Sequence, residues 1–203
     1  MICNWKLKSI AAGFRMSPKA YWNAQNGNGL STVTEAVTAD LVRGTKTGGQ
    51  RPYDVISGPN HWASQIEVRN SFKDVSFAPS TSRGKGRCFD LLSFKSKLKK
   101  CDSFVVYNLT PLKRLQQPIV YEISSDLIKG LYDLGAIGAT AHIDFHKRRR
   151  YPHGWEKRKM RFEELFPYEE FKFIPNSSQP SKRKAIEVLE AAITRINQRI
   201  NNK

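Results

Sequence analysis

The chain has 203 residues, 39% of them hydrophobic, and carries 34 Lys and Arg against 18 Asp and Glu, a formal net charge of +16. That length and apolar share suit one folded domain and argue against wholesale disorder. The charge gathers polyanions, namely DNA, RNA or an anionic membrane face, but no stretch approaches the roughly 20 apolar residues that cross a bilayer.

The opening "MICNWKLKSIAAGFRMSP" has only short apolar pieces broken by Lys and Arg, which makes a poor secretory signal. Cys3, Cys88 and Cys101 are an odd number of thiols without C-x-x-C spacing. Neither a disulfide framework nor a Cys-rich zinc site is expected, and a reducing cytoplasm fits. "NAQNGNG" reads as a turn or loop. From Ser31 the pattern turns helical, with Ser31 or Thr32 as cap, Val33, Ala36, Val37 and Leu41 inside, and Gly44 just past the end. "TKTGGQRP" reads as a basic loop.

Tyr53 to Ile56 reads as a short strand, "SGPNH" as a turn, and the alternating "ASQIEVRNS" as a second strand. Together they predict a hairpin. "SFAPSTSRGKGR" reads as a loop. "CFDLLSFKSKLKKC" is amphipathic, with Phe89, Leu92, Phe94 and Leu98 near helical spacing. "DSFVVYNLT" and "PIVYEIS" read as buried strands. "SSDLIKGLYDLG" reads as a helix capped by Ser124 or Ser125 and stopped at Gly135. The expected fold class is α/β (α+β), a central mixed β-sheet flanked by helices. "SKRKAIEVLEAAITRINQRI", about residues 181–200, predicts an amphipathic helix that covers a core face or joins a dimer.

Residues two apart on a strand share a face. Glu67 and Arg69 are thus expected to emerge together at an exposed or cleft-facing surface, with Ile66 and Val68 turned to the core. Asp54, across the hairpin, can come close to Glu67. Two such carboxylates repel unless a cation sits between them, and a hard ion such as Mg²⁺ takes oxygen ligands of this kind. A bland alternative is a strand-end acid beside a surface ion pair.

The D-x12-E-x-R spacing of Asp54, Glu67 and Arg69 resembles the PD-(D/E)xK nuclease superfamily, in particular its restriction-endonuclease branch. The resemblance extends more loosely over about residues 31–145. It implies a type II restriction-like endonuclease of a prokaryotic cytoplasm, cutting double-stranded DNA with Mg²⁺ as a homodimer. Asp54 and Glu67 take the metal-ligand positions. Arg69 takes the lysine position, with Lys73 as the reserve ammonium, and Glu35 on the N-terminal helix completes the site. Arginine in that place stays charged and cannot serve as a base, yet it can hold the scissile phosphate. The resemblance also implies a single nuclease domain over residues 1–203.

From His146 to Arg161 eight Lys and Arg stand in sixteen residues against one acid, interleaved with Tyr151 and Trp155. Lys147, Arg148, Arg149 and Arg150 match phosphates and guanine edges, and the rings can stack on bases. His142, His146 and His153 lie among cations that would repel a metal. Arg83, Lys85 and Arg87 in "STSRGKGR", and Arg43, Lys46 and Arg51 around "RGTKTGGQR", supply two further phosphate-binding stretches. A non-catalytic basic nucleic-acid-binding protein accounts for these loops equally well without Asp54 or Glu67. An RNA-processing nuclease is a third reading.

Overall fold

A computed structural model describes residues 29–48, 51–71, 74–79, 81–82, 87–114, 116–137, 142–144 and 162–177, with single positions between 187 and 198. Helix α1 spans Gly29–Leu41. It begins before the expected Ser31 or Thr32 cap, and Ser31 Oγ, inside the helix, accepts from Asn70 Nδ2 at 3.4 Å. Thr34 and Thr38 return their hydroxyls to the carbonyls of Leu30 and Thr34. Gly44 follows the helix where the chain turns back against a neighbouring strand. A Cβ there would lie 2.1 Å from the Ile56 carbonyl oxygen, so no larger residue fits without moving backbone.

The main sheet has five strands in the order β1-β2-β3-β7-β8. They are β1 (Thr45–Lys46), β2 (Val55–Ile56), β3 (Gln65–Ser71), β7 (Ser103–Asn108) and β8 (Ile119–Ser124). β3 and β7 run parallel, and the other neighbours are antiparallel. The sheet is mixed and helix-flanked, the α/β class expected from the alternation of apolar periods. The hairpin forms as β2 and β3, in the register Val55↔Ile66. It pairs over two residues on its first arm, so Asp54 stands just ahead of the ladder. Part of the expected basic loop is β1, an edge strand paired to β2.

The β3–β7 junction is fixed by one side chain. Asp102 Oδ2 accepts from the backbone N–H groups of Ser64 and Gln65 at 2.9 and 2.8 Å, which sets the parallel register. β7 is buried along its whole length, as its apolar run predicts for a strand covered on both faces. Phe104 and Val106 point into one core with Phe94, Tyr121, Ile123, Leu127 and Phe166. Val105 and Tyr107 point into the other, with Ile66, Val68, Val55 and Val42. Tyr107 hydroxyl meets Thr38 Oγ1 of α1 at 2.9 Å, so the second face is closed by a polar clasp as well as by apolar packing.

Helix α2 spans Leu91–Lys100, with Asp90 as its N-cap. Phe94 and Leu98 are buried as the amphipathic pattern requires. Leu92 is not. It is 78% exposed, because it lies a helical half-turn from Phe94 and faces away from the sheet. Helix α3 spans Ser125–Asp133, is capped by Ser124, and ends at Gly135 with φ +72°.

Two small ladders correct the loop expected over "SFAPSTSRGKGR". β4 (Asp74–Ser76) pairs with β9 (His142–Asp144), and β5 (Thr81–Ser82) pairs with β6 (Arg87–Cys88). The first pair is closed by residues far apart in the chain, which no local pattern announces. Two short helices, α4 (Phe162–Leu165) and α5 (Tyr168–Phe171), follow β9. Phe162 and Phe166 stack on the first core. The helix expected over 181–200 lies mostly outside the described residues, although Leu189 packs on Gly130 of α3.

Candidate active site

Glu67 lies on β3 between Ile66 and Val68, and the strand alternation turns it to the opposite face, beside Phe104 of β7 and under α2. It was expected at an exposed or cleft-facing surface. It is 2% exposed, because α2 covers that face as well. Burial raises its carboxyl above the ordinary 4.5, and Asp54 adds to the rise, while Arg69 and Lys97 pull it back.

Two cations meet the same oxygen, Glu67 Oε1. Arg69 Nη1 lies 2.5 Å away, and Lys97 Nζ donates to it from α2. Arg69 Nε also donates to the Ser76 carbonyl at 2.9 Å. The arginine in the expected lysine place therefore ties β3 to β4, and its fork is engaged on two sides. Glu67 Oε2 is buried and has no hydrogen-bond partner.

Asp54 holds its place through both backbone and side chain. Its N–H donates to the Ile66 carbonyl, and its Oδ2 accepts from the Val68 N–H at 2.9 Å. The hairpin thereby brings Asp54 against the strand that carries Glu67. Glu35 of α1 pairs with Lys46 of β1 at 2.7 Å. Burial raises its carboxyl too, the Lys46 contact lowers it, and the Asp54 charge raises it again. The Asp54 charge thus raises both glutamates.

Lys97 is the site residue that sequence reasoning missed. Its side chain is 12% exposed. The signal was there in part: Lys97 falls three residues after Phe94 and one before Leu98, beside the buried stripe of α2. Cys101, one turn on, donates its thiol to the Pro52 carbonyl at 3.2 Å and is pushed up to about 12 by burial and the nearby Glu67 charge. It is a structural thiol and no nucleophile at neutral pH.

Among the described residues no three His, Cys, Asp or Glu side chains form a ready cluster for a metal ion. The pair does fit a hard cation in one respect. A buried carboxylate oxygen without a partner is costly, and Glu67 Oε2, on the strand that Asp54 abuts, is oxygen chemistry of the kind that Mg²⁺ takes. The Lys97 and Arg69 charges act against it. No protein-family profile, characterised protein or solved structure matches the chain, so these contacts alone carry the assignment.

Of the other expected residues, Arg43, Lys46 and Arg51 are exposed and flank Asp54 in sequence. Arg43 follows α1 in the left-handed region, φ 50°. Lys73, Arg83, Lys85, Lys147, Arg148, Arg149, Arg150, Tyr151 and Trp155 lie outside the described residues. Of Arg87 only the backbone, in β6, is described.

A second polar cluster is buried in the other core. Glu122 of β8 accepts from Ser103 Oγ at 2.9 Å and meets His61 Nε2 at 2.9 Å. It lies on the opposite face from Glu67, enclosed with Phe173. It is a packing feature of the hairpin turn.

Proposed function

We propose that the chain is a Mg²⁺-dependent endonuclease that hydrolyses phosphodiester bonds of double-stranded DNA, in the manner of type II restriction enzymes. The observation that supports it best is that the hairpin sets Asp54 against the strand of Glu67, while a lysine, Lys97, reaches Glu67 from α2. An acid pair next to an ammonium suits attack of water on a phosphate and suits few structural tasks at a 2%-exposed position.

Asp54 and Glu67 would hold the metal, through Glu67 Oε2 and an Asp54 oxygen. Mg²⁺ bound there would polarise water and screen charge growing on the phosphate. Lys97 supplies the ammonium that the E-x-K pattern asks of its lysine, since Arg69 is committed to Glu67 and Ser76. Lys97 can orient the attacking water and hold the phosphate oxygen; Arg69 keeps Glu67 in position. Glu35, paired with Lys46, shapes the field around Asp54. Arg43, Lys46, Arg51 and the basic stretches of 83–87 and 147–155 hold the DNA backbone. Palindromic targets suit a two-fold homodimer.

The test is plasmid nicking with Mg²⁺ against EDTA, wild type beside Asp54→Ala. The reading requires metal-dependent cutting that the substitution abolishes. A second reading, a non-catalytic nucleic-acid-binding protein, has one observation in its favour: two cations already neutralise Glu67. It requires binding with no cutting under any metal.

A further inference from the structure

Lys97 has a second environment. A shallow cleft of about 490 Å³, broadly open to solvent, lies beside it. Its cations are Arg51 and Lys97, and its hydroxyls are Ser93 and Ser96 of α2. The remaining wall is apolar: Pro52, Pro79 and Leu92. Leu92, 78% exposed, has no place in either core and leaves an apolar surface in water. Pro52 is pinned by the Cys101 thiol, so this wall is built on fixed backbone. Ser93 already donates to Asp90 Oδ2 at 2.5 Å and can only accept further bonds, whereas Ser96 remains a donor or acceptor.

These groups specify a ligand with three parts. Two cations ask for an anion. Flat prolines and a leucine ask for an apolar ring or sugar face. The hydroxyls ask for polar edges. An inorganic phosphate would leave the apolar wall unused, and a purely apolar ligand would leave Arg51 unanswered. We propose that the cleft is the seat of a single nucleotide of the nucleic-acid strand, its phosphate held between Arg51 and Lys97 and its sugar and base laid on Pro52, Pro79 and Leu92. The proposal rests on the nucleic-acid reading given above and names the part of the substrate next to the acid pair. It does not require that the chain cut.

The test is titration of thymidine 5′-monophosphate into the full chain in EDTA, followed by NMR or calorimetry, with inorganic phosphate as comparison. The expected result is that the nucleotide binds roughly tenfold more tightly than phosphate, that Arg51→Ala weakens it about fivefold by loss of a charge-assisted contact, and that Ser96→Trp, which fills the cleft from an exposed helix position, abolishes it. Leu92→Ala should weaken nucleotide but leave phosphate unchanged. Equal binding of nucleotide and phosphate, or wild-type binding by a folded Ser96→Trp, overturns the proposal. Nucleotide binding lost in Ser96→Trp with no plasmid nicking would keep the cleft and remove the catalytic reading. Nicking without nucleotide binding would do the reverse.

Discussion

Lys97 Nζ donates to Glu67 Oε1 across thirty residues of chain, from a helix to a buried strand. The contact joins the two halves of the candidate site and separates the roles of two cations. Arg69 also reaches Glu67, but its second bond goes to the Ser76 carbonyl. Lys97→Met should lower single-turnover cleavage by about 10²-fold, the scale of one lost electrostatic contact in an active site, with a smaller loss of DNA binding from the one phosphate contact it gives up. Arg69→Met should cost more in melting temperature, since it frees both Glu67 and Ser76. Single-turnover rates and thermal melts of the two variants check this. The same loss of rate and of stability in both would remove the distinction.

Glu67 and Glu35 both have carboxyls raised by burial above the ordinary 4.5. Folded, they keep protons that the unfolded chain has released. Their contribution to stability is therefore full below about pH 4.5 and is lost as pH rises through the raised folded values. Glu67→Gln should flatten this slope in urea melts taken from pH 4 to 7. The same substitution should abolish cleavage while DNA binding is kept, because Glu67 is buried and offers the DNA strand no surface. Full cleavage by Glu67→Gln would contradict the assignment.

Glu122→Ala tests the other buried cluster. It leaves Ser103 Oγ and His61 without their acceptor in an enclosed core. Losing a shared buried acceptor costs about 1–3 kcal/mol. Denaturant melts should show this loss with the metal affinity of the Asp54 group unchanged. Altered metal affinity would link the two faces of the sheet.

Gly44→Ala should destabilise by about 3 kcal/mol, the upper end for overpacking, since the new Cβ meets the Ile56 carbonyl at 2.1 Å. Gly48→Ala, with open space around it, is the control and should be near neutral.

Much of the sheet could be read before the coordinates. The continuous apolar run of 103–108 marks a strand buried on both faces, and Ser124 with Gly135 brackets α3. The hairpin carrying Asp54 and Glu67 follows from alternation across a Gly-Pro-Asn turn. Other features could not be read, for a common reason. Lys97 belongs by composition to the polar side of α2, and only the packing of that helix on β3 turns it inward. β4 pairs with β9 across a register of Asp74↔Asp144, and His61 meets Glu122 from sixty-one residues away. Such contacts depend on tertiary closure, which leaves no local period. Burial of Glu67 was missed for the same reason: alternation told which face it takes, but not that a helix covers it.

The central claim is that Asp54 and Glu67 share one cation. Titration of Mn²⁺ into wild type, Asp54→Ala and Glu67→Gln, read by electron paramagnetic resonance, tests it directly. One bound ion in wild type, lost in both variants while their melts remain cooperative, is the predicted result; equal Mn²⁺ binding by all three would contradict it.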